Sequence, residues 1–144
     1  MYKKSFFINT KIEKKQKECT QMEYILVFVT GMIAYPILEI IWRGYTHITM
    51  AFAGGICLSL IYFSSFRFEY LGNVICAAIG CGIITAVELV FGLVFNIAGG
   101  MNIWDYSEKP LNFMGQICAE YILWWFVLCL IIMPLCRVVH RHAV

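Results

Sequence analysis

Charge is what this sequence has least of. Charged residues make up 14% of the 144, against roughly a quarter in soluble domains. With 61% hydrophobic residues and a mean hydropathy of +0.76, the chain has too little polar material to clothe a water-facing surface. That composition excludes an ordinary soluble domain and selects a membrane. Metal-ligand spacing is missing too. Cys19, Cys57, Cys76, Cys81, Cys118, Cys129 and Cys136 form no C-x-x-C and have no partnering histidines. Most lie in apolar runs, where a free cysteine behaves as a small hydrophobe, so neither a metal site nor a disulfide framework is expected. There is no G-x-x-x-x-G-K-[ST], and the glycines of "GCG" at 80–82 follow no strand, so no phosphate loop and no cofactor are expected. No nucleophile, base and orienting group stand together in the pattern of a catalytic set. The chain reads as a non-enzyme, and no nucleic-acid partner is expected.

What is present is apolar and long. Four segments have membrane length: Tyr24–Trp42, Thr49–Phe66, about Leu71–Ala98 and Gln116–Val138. At ~1.5 Å rise per residue, some 20 residues cross a ~30 Å hydrocarbon core. The expected fold class is all-α, an integral membrane bundle of four transmembrane helices in one domain over 24–139. The second segment is the shortest, and its Gly54–Gly55 pair allows a re-entrant alternative. The third is over-long, which implies tilt, a kink near "GCG", or projection beyond the bilayer. Ala78 and Gly82 in that segment have the small-xxx-small spacing that lets helices approach closely. Neither period-2 alternation nor a set of short segments points to strands.

The charges that do exist are placed unevenly. Residues 1–23 hold Lys3, Lys4, Lys11, Lys14, Lys15 and Lys17, without the apolar core and cleavage site of a secretory signal. They read as a basic cytoplasmic leader, with Met22 an alternative start. Taken with Arg67, Arg137 and Arg141, they leave only Arg43 and Lys109 for the other side. The bias of Lys and Arg toward the inner face therefore puts both termini in the cytoplasm. Residues 140–144 then form a cytoplasmic tail, in which His140 and His142 read as solvated.

Ionisable groups inside a span are costly and need a partner or a purpose. Glu39, Glu88 and Glu120 are such groups, and the four-span layout puts all three in the outer half. Glu39 and Arg43 stand four apart on one helix face, acid first, the favourable order for a pair. Asn96 and Gln116 add uncharged polarity at that level, and His47 lies in the adjoining loop. Above them runs "NIWDYSEKPLNFMGQIC", Asn102 to Cys118, the one polar insert between long apolar runs. Asp105, Asn112, a turn at Lys109-Pro110 and the interface aromatics Trp104 and Tyr106 make it the expected lid of a polar site. Tyr24, Trp42 and Tyr45 fit the same aromatic belts, whereas Trp124 and Trp125 lie deeper and read as packing. The candidate solute- or ion-binding set is thus Glu39, Arg43, His47, Glu88, Asn96, Asp105, Asn112, Gln116 and Glu120.

The elements "EIIWRGYTHITM", "GGIC", "ELVFGLVFN" and "NIWDYSEKPLNFMGQIC", with a Trp in the last span, resemble a family of small bacterial membrane proteins described as ABC-transporter permeases of type IV. The resemblance runs from about Glu39 to Trp125. Besides the candidate residues just named, apart from Glu120, it takes in Trp42, Gly44, Gly54, Gly55, Trp104, Tyr106, Ser107, Gly115 and Cys118 as family-motif positions. Glu120 and the basic leader fall outside it. The resemblance implies a transporter permease or channel-like subunit in the bacterial cytoplasmic membrane, homo-oligomeric or part of a larger membrane complex, with a separate ATPase as a partner. The alternative is an accessory or structural membrane protein that binds a larger complex without transport of its own.

Overall fold

The computed structural model describes residues 2–143, and their side chains over 21–142. The leader lysines and Cys19 lie outside the described side chains. Four helices dominate: α1 (Tyr2–Arg43), α2 (Ile48–Arg67), α3 (Asn73–Phe91) and α4 (Ala119–Ala143). Within them, Gln21–Arg43, Ile48–Arg67, Asn73–Ala98 and Ala119–His142 are each long and apolar enough to cross a membrane. The second is a single continuous helix of 20 residues, a full crossing length.

The most enclosed span is also the least hydropathic. α2 has the lowest mean hydropathy of the four spans, 1.6, and is the most enclosed by the others. It packs against α1, α3 and α4, so its small and polar positions Thr49, Gly54, Gly55, Ser64 and Ser65 face protein, while Ile48, Phe52, Leu60 and Phe63 remain on its outer face. The closest approach is between α1 and α2. A Cβ on Gly54 would collide with the Cβ of Tyr35 and lie 2.6 Å from the Gly31 carbonyl oxygen, and one on Gly55 would lie 2.9 Å from Met32 Cγ. The small-residue seam is therefore here, not at Ala78 and Gly82. Both of those are exposed, and a Cβ on Gly82 would meet nothing.

His47 sits in extended backbone at the N-cap of α2, and its ring accepts from the Thr49 amide at 3.3 Å. It thereby satisfies a donor that the helix cannot. α2 and α3 are joined by a short turn through Glu69–Leu71. α3 runs straight through "GCG" and widens only past Glu88, where residues Gly92–Ala98 form a π-helical extension. The wide turn shows in the bond from the Gly99 amide to the Val94 carbonyl, 2.9 Å. This extension takes up the extra length of the third apolar run.

Residues 99–118 are anchored by buried Ile103, Trp104, Tyr106, Gly115, Gln116 and Cys118, while Pro110–Met114 stay exposed. They fold back onto the bundle through a minimal hairpin of β1 (Asn112–Phe113) and β2 (Ile117–Cys118), antiparallel, with Phe113 opposite Ile117. Gln116–Cys118, apolar enough to be read as the start of the fourth span, belong to this hairpin. Trp104 and Tyr106 are 4% and 8% exposed and pack with Met50, Ala53, Ile103 and Cys118. They are core residues rather than interface anchors, because their ring N–H and O–H find partners inside the protein. A second core, around Tyr62, Cys76, Cys129 and Met133, fills the half of the bundle nearer the termini.

That terminal end is tied together by polar contacts. His140 is half-buried, stacked on Phe66 with ring centroids 4.1 Å apart and within 2.9 Å of Tyr62 Oη and 3.1 Å of Glu23 Oε1. It belongs to the bundle and not to a solvated tail, since α4 continues past it. Arg137 reaches across to the Ser65 carbonyl and Asn73 Oδ1, and Arg141 pairs with Glu69. α1, by contrast, has α2 as its main partner, and a groove remains between it and α4 at the opposite end of the bundle.

Candidate functional site

At the centre of that opposite end is Glu88. It projects from α3, is 5% exposed, and both its oxygens accept hydrogen bonds from neutral donors. Tyr106 Oη, delivered by the folded-back loop, lies 3.0 Å from Oε1, and Trp125 Nε1, from α4, lies 3.0 Å from Oε2. Three separate elements thus converge on one carboxyl group. Burial, with Glu88 beside it, holds the Tyr106 phenol far above its usual range, so it acts here as a neutral donor.

Glu39 and Arg43 form the expected ion pair at the end of α1. The second Glu39 oxygen accepts from Thr46 Oγ1 at 2.6 Å, and the Arg43 guanidinium lies 5.1 Å from the Tyr45 ring centroid. Sharing its oxygens between two donors makes burying this acid tolerable.

The uncharged candidates do a different job. Asn96 Nδ2 donates to the Trp104 carbonyl and to Gln116 Oε1, both at 2.9 Å, while its Oδ1 accepts from the Ile103 amide at 2.7 Å. Gln116 in turn donates to the Met114 carbonyl, and its own carbonyl accepts from Trp104 Nε1 at 3.0 Å. Asn112 caps the turn through the Ser107 and Lys109 carbonyls. Asp105 accepts from the Ser107 hydroxyl and amide, which together hold its carboxyl below the usual range. Gly115, at φ +69, has the Asp105 and Ser107 side chains so close that a Cβ there would lie 2.6 Å from Ser107 Oγ. Asn96, Asp105, Asn112 and Gln116 therefore build the loop that presents Tyr106 to Glu88.

Glu120 stands apart from the other two acids. It is 44% exposed and pairs with Lys109 at 2.9 Å, a contact that also raises the lysine above its usual range. Its position one residue into α4 points it across the loop rather than into the bundle, so the three acids do not meet. His47, occupied as a helix cap, faces the Thr49 hydroxyl at 2.9 Å.

What the sequence reading missed is the wall around the acids. A groove of about 300 Å³ between α1 and α4 is lined by Tyr35, Trp42, Tyr106, Tyr121, Trp124 and Trp125, with Glu39 and Arg43 at one end. Tyr106 stacks on Tyr121 at 4.6 Å between centroids, and Trp125 stands between Tyr121 and Tyr35 at 6.3 and 6.2 Å. Trp42 and Trp124, 6.0 Å apart, approach each other from α1 and α4. The signal available was Glu88 itself: a carboxyl that deep demands donors, and aromatic N–H and O–H groups are the ones an apolar segment can supply.

Four apolar helices enclosing a hydrogen-bonded carboxyl define a multi-pass integral membrane protein. A family model described as "Putative ABC-transporter type IV" matches residues 55–144, well over half of the chain, and the protein belongs to that family. It is accordingly a transport-related membrane protein. The matched region takes in Glu88, the loop and α4; α1, with Glu39 and Arg43, precedes it. No curated protein and no solved structure matches the chain.

Proposed function

We propose that this chain is a permease-like subunit of a transport system in the bacterial cytoplasmic membrane, and that Glu88 is its solute- or ion-handling group in the outer half of the bilayer. The observation that carries this reading is the environment of Glu88. A carboxyl group inside a span, held only by two neutral donors from two other elements, is an arrangement too costly to keep for packing alone. The bias of Lys and Arg puts the loop end outside, so the groove opens toward the outer leaflet. With no phosphate loop in the chain, any ATP-driven step falls to a separate subunit. That subunit would couple through the ends of α1 and α4 and the short α2–α3 turn.

The experiment is flux through proteoliposomes carrying the purified protein, read as dye-reported proton entry and as current under an imposed potential. Wild type should conduct, and Glu88→Gln, which keeps the size and one acceptor oxygen, should lose at least about tenfold of the flux if the charge is required. Flux unchanged in the variant would sink the assignment. A second reading, an accessory protein that binds a larger complex, draws on the open groove between α1 and α4, which a partner helix could fill.

A further inference from the structure

We infer that the groove between α1 and α4 is a binding site for a lipophilic organic cation. The inference rests on the role proposed for Glu88, which stands behind the groove wall, and names the class of ligand that the wall in front of it would hold. Four observations support it.

The first is the aromatic content. Tyr35, Trp42, Tyr106, Tyr121, Trp124 and Trp125 line a single groove of about 300 Å³, a volume at the lower end of those that hold drug-sized ligands. Aromatic faces attract cations through the ring quadrupole, and indole does so best; the attraction grows when the pair is out of water. The second is the way two of these rings are tied to the acid. Tyr106 and Trp125 form part of the wall with their faces and edges, while their Oη and Nε1 donate to Glu88 behind them. A ring that donates to a carboxylate is polarised by it, so the wall becomes more negative toward the groove.

The third is the charge balance of the lining. Arg43 is the cation that lines the groove, and it is paired with Glu39 and placed against the Tyr45 ring. Glu39 and Arg43 cancel formally, so the lining carries no net positive charge that would repel a cation. An anionic ligand would have to displace Glu39 from Arg43; a cationic one displaces nothing. The fourth is the remainder of the wall. Leu38, Val127, Leu128 and Ile131 extend the groove along the two helices. They would cover the apolar body of a ligand whose charge rests among the rings. Trp42 of α1 bridges to Tyr121 and Trp124 of α4 across the groove, so the aromatic rings close over a bound cation and favour a weakly hydrated organic one over a strongly hydrated inorganic ion.

The test uses three probes of similar shape on the purified full chain in detergent, read by quenching of tryptophan fluorescence and by equilibrium dialysis. These are methyltriphenylphosphonium (cationic), triphenylphosphine oxide (neutral) and tetraphenylborate (anionic). The phosphonium should bind saturably at one site per chain and more tightly than the other two. Trp42→Leu and Trp124→Leu, both at positions at least half exposed and therefore separable from folding, should each weaken it by about tenfold. Trp124→Phe should retain most of the affinity. Arg43→Gln should strengthen phosphonium binding, because a like charge leaves the groove. Equal binding of the neutral or anionic probe, or indifference to the tryptophan variants, would overturn the proposal. So would the absence of binding together with Trp42→Cys cross-linking to a second copy, which would make the groove a subunit interface. The two readings separate cleanly. Flux lost in Glu88→Gln without phosphonium binding removes the groove and leaves Glu88. Phosphonium binding with normal flux in Glu88→Gln removes Glu88 as the transport centre and leaves the groove.

Discussion

Asn96 is where the loop over the site is held. It stands in the π-helical extension of α3, buried, and its amide uses both ends at once: oxygen to the Ile103 amide, nitrogen to the Trp104 carbonyl and Gln116. Those contacts fix the chain two residues before Tyr106, the donor to Glu88. Asn96→Ala would leave the Ile103 amide, the Trp104 carbonyl and Gln116 Oε1 without their Asn96 partner, at about 1–3 kcal/mol for each unsatisfied group that water cannot reach. The expected outcome is a lower unfolding temperature in detergent together with a red-shifted Trp104 emission, as the loop lifts and the indole meets water. Removal of Asn96 with Trp104 still buried would show that the hairpin holds itself. At this scale the sequence was informative about which residues matter and misleading about what they do. Asn96, Asp105, Asn112 and Gln116 are polar residues next to a membrane, and nothing in their order tells a ligand-binding amide from one that caps a turn. Only the backbone path of residues 99–118 decides that, and the path depends on Trp104 and Tyr106 finding their partners in other elements.

The helices were legible because a membrane imposes length and hydropathy on anything that crosses it. Faces were not, because lipid and protein interior are alike in polarity, and period alone cannot say which side of an apolar helix touches a neighbour. The spacing of Ala78 and Gly82 thus suggested a contact, yet both face outward. The real seam joins Gly31 of α1 to Gly54 of α2, where the Gly31 carbonyl and the Tyr35 Cβ leave no room for a methyl group. This element-level contact has a measurable consequence. In Gly54→Ala the two helices must part by about an ångström to relieve contacts of 2.4 and 2.6 Å, at a cost of about 1–3 kcal/mol or more. Gly82→Ala, introduced where nothing would be touched, should cost nothing and serves as its control. Thermal unfolding in one detergent distinguishes them; equal stability of both variants would mean that α1 is not seated on α2 as described. Because Tyr35 is part of both the seam and the groove wall, Gly54→Ala should also weaken phosphonium binding, while Gly82→Ala should not.

For the whole molecule, the distribution of charged contacts gives the bundle two unlike ends. At one, Glu23, His140, Tyr62, Arg137, Arg141 and Glu69 tie α1, α2, α3 and α4 together. At the other, aromatic side chains of α1 and α4 line a groove, and part of the loop folds inward onto the bundle. The permease role proposed above calls for such an asymmetry, since an access route that is open at both ends is a leak. The inner bias of Lys and Arg predicts which end faces which compartment, and four spans predict that Arg67 and Lys109 lie on opposite sides, both exposed enough to be labelled. Cysteines introduced at these two positions in a chain whose native cysteines have been replaced should therefore react differently with a membrane-impermeant maleimide. Lys109→Cys should label in intact cells, and Arg67→Cys only after the membrane is opened. The reverse pattern would turn the molecule over and place the groove on the cytoplasmic side, where it would serve uptake of a cation from the cell rather than from outside. Labelling of both from one side would break the four-span count itself. The relation between Arg67 and Lys109 follows from the helices alone, but the direction rests on a leader rich in lysine. Deleting residues 1–21 should therefore leave the opposition intact while weakening the preference for one direction, and that separates what the bundle dictates from what the charges add.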